Sequence, residues 1–114
     1  MAGLPIVDLR TYTIAVRKMP EFLDVLDRLG MPVLLRHQRP PIGFFTATIG
    51  HLNQVVHLWE YESLADMETR HAARDKDPDW PAYLKGTVHL VTHQENRIIR
   101  RVDLKSLAAI GASS

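Results

Sequence analysis

Cysteine is absent from this 114-residue chain. Its absence excludes a disulfide framework, thiolate metal ligands, a cysteine nucleophile and an iron–sulfur cluster. No apolar run approaches the roughly 20 residues that span a bilayer. The first five residues lack the charged and apolar regions of a signal peptide. We therefore expect a cytoplasmic protein that has no membrane partner.

An excess of either charge is missing as well. Lys and Arg number 14 against 13 Asp and Glu, which gives a net charge of +1, and the two signs are interspersed. This balance gives no electrostatic reason to expect nucleic acid as a partner. The glycine-rich phosphate loops and the G-x-S-x-G nucleophile motif are also missing. The composition is that of an ordinary globular protein, and the length suits one domain.

The spacing of apolar residues predicts the element order β-α-β-β-α-β. The strands are predicted at Ile6–Ile14, Ile42–Ile49, Val55–Tyr61 and Gln94–Leu104. The first helix is predicted to start at Pro20 and to continue toward His37, with a kink or break where Gly30 and Pro32 interrupt the pattern.

The second helical region is predicted to begin after Ser63, which suits an N-cap because Asp66 follows three residues later. It is expected to end near Asp77-Pro78, and the same two residues are predicted to start another helix as N-cap and first-turn proline. Tyr83, Leu84, Val88 and Val91 would supply its apolar stripe.

Short connections and right-handed crossovers then predict an α+β fold of the ferredoxin-like kind, with one four-stranded sheet and its helices on one face. We expect residues 6–104 to form this domain. Residues 1–5 are expected to be an N-terminal extension, and residues 105–114 a flexible C-terminal tail of mostly small residues.

The two faces of this sheet differ in chemistry, because successive strand residues point to opposite sides. On strands one and three, the first face collects Val7, Leu9, Val56 and Leu58. Two helices cover only one face, and strands two and four carry apolar residues on both. We therefore expect a homodimer in which uncovered faces pack together. The alternative is a monomer with a partly hydrated face.

The second face predicts a small-molecule site, since it combines aromatic walls with a few polar groups. The candidate ligand-binding residues are Arg10, Tyr12, His57, Trp59 and Tyr61. Arg10 suits a carboxylate or phosphate, His57 is the candidate catalytic residue because it exchanges protons near neutral pH, and the tyrosines offer hydrogen bonds. The same face would instead be an interface if it met the partner. It is also typical of a polar-aromatic core with Arg10 paired to Asp8 or Glu60.

Six histidines raise the question of a metal site. His89 and His93 lie four residues apart on a predicted helix, but no acidic residue stands between them as in the zinc-protease motif. We interpret them as solvated and predict no metal and no cofactor. His71 is predicted to be hydrogen-bonded and partly buried. The Asp77-Pro78-Asp79-Trp80 motif is interpreted as a helix start with an aromatic anchor.

The chain resembles the NIPSNAP family within the dimeric α+β barrel group. The stretches that carry the resemblance are Leu9–Thr13, Gly43–Thr46, Leu52–Tyr61, Ser63–Asp66, Asp77-Pro78-x-Trp80 and Gln94–Ile98. The resemblance implies a ferredoxin-like monomer and a homodimer, but it brings no defined activity. Related barrels include cofactor-independent monooxygenases and haem-degrading enzymes, which is an analogy at the level of the fold.

Three functions follow as hypotheses. The first is a dimeric module that binds a small apolar molecule, with or without an anionic group, in a cleft between sheet and helices. The second is a cofactor-independent monooxygenase or isomerase that acts on a small aromatic or polyketide-like substrate through His57 and Arg10. The third is a structural protein that binds a partner and has no pocket. An open cleft lined by Arg10 and His57 would favour the first two.

Overall fold

In the computed structural model, which describes residues 3–111, one antiparallel sheet carries the fold. Its strands are β1 (Ile6–Ile14), β2 (Gly43–Thr46), β3 (Gln54–Tyr61) and β4 (Val91–Arg100). They lie in the order β2-β3-β1-β4, and every neighbouring pair is antiparallel. The two long strands β1 and β3 are therefore central. This is the predicted ferredoxin-like arrangement.

The helices join these strands. They are α1 (Met19–Val25), α2 (Met31–His37), α3 (Leu64–Asp75), α4 (Trp80–Thr87) and α5 (Lys105–Gly111). Within residues 3–111, no helix combines the length and apolar character that crossing a bilayer demands.

A π-helical turn at Leu26–Gly30 links α1 to α2, and it confirms the predicted irregularity near Gly30 and Pro32. Pro32 lacks the N–H that a regular helix would need. A Cβ atom at Gly30 would lie 2.8 Å from the ring of Tyr83 on α4. The glycine thus allows α4 to pack closely against the first helical layer.

The core lies between the sheet and the helices, and its largest fully buried side chains include Tyr61 and Phe22. From the strands, Ile6, Ile14, Val55 and Trp59 point into it. The face that carries the candidate site residues therefore turns toward the helices. The face that carries Val7, Leu9, Val56 and Leu58 is the one without helices.

A local signal in the sequence explains where α3 begins. The Ser63 hydroxyl accepts from the Asp66 N–H at 3.0 Å, and the Asp66 carboxylate accepts from the Glu62 N–H at 3.0 Å. This confirms the N-cap predicted for α3. The Glu62 N–H, helped by Arg70, also lowers the pKa of Asp66 although partial burial opposes the shift.

The start of α4 and both ends of β4 were predicted wrongly. Asp77 and Pro78 form a turn in which the Asp77 carboxylate accepts from the Asp79 N–H at 2.9 Å, so the helix begins only at Trp80. It ends at Thr87, and β4 runs over Val91–Arg100 rather than Gln94–Leu104. Val88 and Val91 continue the helical spacing by coincidence. The pairing of Val91 with Ile14 in the sheet places Val91 at the start of β4 rather than in α4.

Because α4 ends at Thr87 and β4 begins at Val91, His89 and His93 do not share a helix as predicted. His89 lies in the turn before β4, and His93 lies within β4. Both side chains are exposed. The predicted i, i+4 arrangement of these imidazoles is therefore wrong. Among residues 3–111, no group of three or more His, Asp or Glu side chains is arranged to hold a metal ion.

The two ends of the chain differ from the expectations in part. The Leu4 N–H donates to Glu60 at 2.7 Å, and its carbonyl accepts from Arg101 at 2.6 Å, so the N-terminal extension is tied to the sheet at Leu4. The segment 105–114 was expected as a flexible tail, but Lys105–Gly111 is helical. Its leucine and alanines are strong helix formers. Residues 112–114 lie outside the described residues.

Candidate functional site

A cavity of about 440 Å³ lies between the sheet and the helices. This volume falls in the range typical of small-molecule sites. From the sheet, its wall includes all five predicted residues, namely Arg10, Tyr12, His57, Trp59 and Tyr61. From the helices and their connections it includes Gln38, His71, Arg74, Trp80 and Tyr83, with Leu26 and Leu34 as apolar wall.

Strand register brings the polar side chains of the wall together. On the two central strands, Arg10 pairs directly with His57, and Asp8 pairs with Trp59. On the other side of β3, Phe44 of β2 pairs with His57. Because paired residues point to the same face, His57 stands between Arg10 and Phe44 on the inner face.

Arg10 is held by its neighbours on β1. Its Nε donates to the Asp8 carboxylate at 2.8 Å, and its Nη1 donates to the Tyr12 hydroxyl at 3.1 Å. The Asp8 side chain is 0% exposed and does not line the cavity, whereas Arg10 is 18% exposed. Burial opposes the charge of Arg10, but Tyr12 and Asp8 outweigh it and raise the pKa of Arg10 above its ordinary value.

This arrangement confirms that Arg10 pairs with Asp8 rather than with Glu60. Glu60 instead accepts from the Leu4 N–H and from Arg101 at 3.2 Å on the other face. The hydrogen bonds to Asp8 and Tyr12 engage only Nε and Nη1 of the Arg10 guanidinium. Among residues 3–111, Nη2 of Arg10 has no hydrogen-bond partner, and it is not sealed from solvent. Arg10 therefore offers a free donor to the cavity.

His57 is fixed in one orientation. Trp59 Nε1 donates to His57 Nδ1 at 2.7 Å, and the ring of Phe44 stacks on the imidazole with centroids 4.8 Å apart. The Tyr12 ring meets it edge-on at 4.8 Å. Burial, and secondly the charge of Arg10, lower the pKa of His57 to about 4. His57 is therefore neutral at pH 7, which disfavours the proton exchange that its residue type suggested.

A second hydrogen-bond chain crosses the cavity wall from β3 to the helices. The Tyr61 hydroxyl donates to Gln38 Oε1 at 2.6 Å and lies 3.1 Å from His71 Nε2. Since the phenolic hydrogen is engaged by Gln38, His71 donates to the Tyr61 oxygen. Burial raises the pKa of Tyr61 to about 12. Burial and then Arg74 lower the pKa of His71 to about 4.

Gln38 and His71 were not predicted as cavity residues. Gln38 follows α2 and has no pattern in the sequence that marks it. His71 was predicted to be partly buried and hydrogen-bonded, and this is confirmed. The Nε2 atom of Gln38 is buried and has no hydrogen-bond partner among the described residues. Gln38 lines the cavity, but this atom itself exposes almost no surface.

Two of the unpaired polar side-chain atoms in this region are of the same kind. Arg10 Nη2 and Gln38 Nε2 are donors, while the acceptor atoms of Gln38 and His57 are engaged by Tyr61 and Trp59. Burying an unpaired donor costs about 1–3 kcal/mol. Arg10 Nη2 is the donor of this pair that a ligand's acceptor oxygen would reach from the cavity.

A separate cluster holds the helical layer in place beside the cavity. The buried Asp77 carboxylate accepts from Arg36 at 3.0 Å and lies 2.8 Å from Nε2 of His37. The Asp79 N–H, then His37 and Arg36, lower the pKa of Asp77 to about 2. The cluster ties α2 to the start of α4, where Trp80 faces Tyr83 at 4.8 Å. The buried Trp80 confirms the aromatic anchor of the Asp77–Trp80 motif, although the helix begins only at Trp80.

Solved structures share this fold. A "Putative antibiotic biosynthesis monooxygenase" from Nitrosomonas europaea matches with a TM-score of 0.64 at 9% identity, over 86% of this chain and 99% of that one. At this identity the likeness shows the fold alone. The fold is that of the dimeric α+β barrel group.

Closer relatives share sequence as well. A NIPSNAP family protein from Agrobacterium tumefaciens is 33% identical with a TM-score of 0.85, over 94% of both chains. Protein NipSnap homolog 2 from Danio rerio is 33% identical over 98 residues. The match covers 85% of this chain, which spans about a third of the length of that relative. The NIPSNAP family model matches residues 7–104. The chain therefore belongs to the NIPSNAP family.

Proposed function

We propose that this chain is a homodimeric binding protein that holds a small, mainly apolar molecule by an acceptor oxygen in the cavity between sheet and helices. The observation that carries the proposal is Arg10 Nη2, a donor without a partner among the described residues, in a wall where the acceptors of Gln38 and His57 are engaged. An acceptor oxygen of a ligand in the cavity would give this guanidinium nitrogen a charge-assisted hydrogen bond.

The rest of the wall supports an apolar or aromatic ligand body. Trp59, Trp80 and Tyr83 contribute flat aromatic surface, and Leu26 and Leu34 add aliphatic surface. Arg10 and His57 would fix the oxygen, and the aromatic residues would cover the remainder of the molecule. The Tyr12 hydroxyl would orient Arg10, and the Tyr61 hydroxyl would orient Gln38.

Binding is favoured over the alternative of cofactor-independent oxygenation or isomerisation. Both reactions begin with removal of a proton from the substrate, which requires a base. His57 is the predicted candidate, but its Nδ1 lone pair accepts from Trp59, and its lowered pKa of about 4 makes it a weak base. Oxygenation would in addition consume molecular oxygen.

The Arg10→Gln substitution is expected to weaken binding of 2-naphthoate by roughly tenfold to a hundredfold, because a hydrogen bond to a charged group contributes about 1.5–3 kcal/mol. Quenching of Trp59 and Trp80 fluorescence measures the affinity. Arg28→Gln is the matched control, since Arg28 forms an exposed pair with Asp24 at 2.9 Å and does not line the cavity.

Arg10→Gln leaves Asp8 unpaired, so the Asp8→Asn/Arg10→Gln double variant is measured beside it. Circular dichroism shows whether each variant is folded. Equal affinity in wild type and in a folded double variant contradicts the assigned role of Arg10. Absence of saturable 2-naphthoate binding in the wild type contradicts the proposed function itself.

The homodimer is supported by the outer face of the sheet, which none of the helices within residues 3–111 covers. Val7, Leu9, Val56 and Leu58 form its centre, and Phe45 of β2 is 56% exposed beside them. Ile99 of β4 pairs with Val7 on the same face and is also exposed. An apolar layer of this kind is stabilised by a second copy in two-fold contact.

Phe45→Glu is therefore expected to convert a dimer into a monomer at micromolar concentration, because it places a charge in the contact. Sedimentation velocity measures the mass of each species. The matched control is Ile49→Glu, since Ile49 is 92% exposed in the loop after β2 and belongs to none of the strands that form the outer face. A wild-type protein that sediments as a single subunit contradicts the dimer.

A further inference from the structure

We infer that the oxygen bound in the cavity is anionic, and that Arg10 and His57 together form a clamp for the carboxylate, phenolate or enolate of a small conjugated acid. The inference rests on the proposed function, because it concerns the ligand of the same cavity. It assigns His57 as a hydrogen-bond donor in place of the proton acceptor that its residue type suggests.

The first step concerns the tautomer of His57. An indole N–H is a donor only, so the 2.7 Å bond from Trp59 Nε1 requires an unprotonated His57 Nδ1. The proton of the neutral ring must then be on Nε2. Among residues 3–111, this Nε2 has no hydrogen-bond partner and is not sealed from solvent. His57 therefore presents an N–H to the cavity.

The second step places a charged donor beside this N–H. Arg10 lies directly opposite His57 in the register of β1 and β3. Cβ atoms of such a pair are about 4.5–5.5 Å apart. Nε and Nη1 of Arg10 are engaged by Asp8 and Tyr12, which hold the guanidinium in place and leave Nη2 free. Two neighbouring donors thus serve one oxygen or one carboxylate.

The third step is the balance of charge around the clamp. Asp8 is fully buried and lies outside the cavity wall, so the positive end of its pair with Arg10 faces the cavity. Arg74 adds a second guanidinium to the wall. Among the described lining residues, Asp75 is the carboxylate, and it is exposed and bonded to Arg74 at 3.0 Å. His71 is neutral near pH 7 because burial lowers its pKa. An anion in a partly dry cavity is stabilised by this arrangement.

The experiment uses 4-nitrophenol, because its phenolate absorbs visible light and its phenol does not. Absorbance as a function of pH gives the pKa of the free and of the bound probe. The clamp predicts a bound pKa at least one unit lower, which is about a tenfold preference for the phenolate. Arg10→Gln is expected to abolish most of this preference. The Trp59→Phe substitution removes the hydrogen bond to His57 Nδ1, so that the imidazole is no longer held in the tautomer with its proton on Nε2. It is expected to reduce the preference for the phenolate while an aromatic side chain is kept at this position.

A second measurement does not depend on any variant. The ¹⁵N chemical shifts of His57 in the wild-type protein distinguish a protonated Nε2 from a protonated Nδ1. The inference requires the proton on Nε2, and a proton on Nδ1 overturns it. The Arg28→Gln variant serves again as the control with unchanged probe pKa.

The outcomes separate this inference from the proposed function. If 4-nitrophenol binds with an unchanged or raised pKa, the anionic clamp is wrong while a binding cavity stands. An unchanged preference in a folded Arg10→Gln variant also overturns the clamp. If neither 4-nitrophenol nor 2-naphthoate binds, the proposed function fails, and the clamp fails with it.

Discussion

Replacement of Asp8 with alanine is expected to lower the free energy of unfolding by about 3 kcal/mol, the lower end of the range for breaking a buried ion pair. The Asp8 carboxylate is 0% exposed and binds Arg10 Nε at 2.8 Å, while His71 Nε2 lies 3.8 Å away. Its removal leaves the guanidinium charge without a partner beneath the sheet. The loss stays near the lower end of that range because the Arg10 side chain is 18% exposed at the cavity, so its charge stays partly solvated.

Urea unfolding at pH 7 and fixed protein concentration measures this loss. Asp24→Ala is the matched control, because the exposed Asp24–Arg28 pair is worth only about 0.3–0.5 kcal/mol. The Asp8→Ala/Arg10→Met double variant is expected to be less destabilised than the sum of the single variants, since no lone charge remains. A loss below about 1 kcal/mol for Asp8→Ala contradicts the assigned ion pair.

The second large effect is expected in acid. The pKa of His57 is about 4 in the folded chain against 6.5 for the free side chain, since burial and then Arg10 disfavour its charged form. Between these values the unfolded chain binds a proton that the folded chain does not, so stability falls as the pH falls. From pH 7 to pH 4.5 the loss from His57 alone is about 2 kcal/mol. The lowered pKa of His71 acts in the same direction.

Urea unfolding at both pH values tests this dependence. His57→Gln is expected to flatten the slope, because glutamine offers an acceptor to Trp59 but does not titrate. His89→Gln should leave the slope unchanged, since His89 is exposed. The lowered pKa of Asp77 acts near and below pH 4, outside this window. A wild-type stability that is constant from pH 7 to pH 4.5 would show that His57 is not buried as described.

Periodicity in the sequence was sufficient for the sheet but not for all boundaries. The limits of β1, Ile6–Ile14, agree with the prediction, because alternation is regular there and both flanks carry turn residues. The start of β4 was missed because Val88 and Val91 happen to continue the spacing of α4. Only long-range pairing of Val91 with Ile14 separates strand from helix at that point.

The candidate site, like the fold, was predictable from the sequence only in part. Five wall residues were predictable because they alternate along β1 and β3 and so share one face. The sequence did not show which of the two faces meets the helices, because alternation separates the faces without identifying either one. Gln38 and His71 reach Tyr61 from 23 and 10 residues away, and no local pattern marks such contacts. The tautomer of His57 depends on a single bond from Trp59, which needs atomic positions.

A crystal structure of the protein with 2-naphthoate tests most directly whether the cavity is a donor-lined ligand site. The predicted result is a naphthalene ring against Trp59 and Trp80, with the carboxylate within hydrogen-bond distance of Arg10 Nη2 and His57 Nε2. The account is contradicted if crystals grown at a saturating concentration of the acid show the cavity filled by its own side chains, or the acid bound elsewhere.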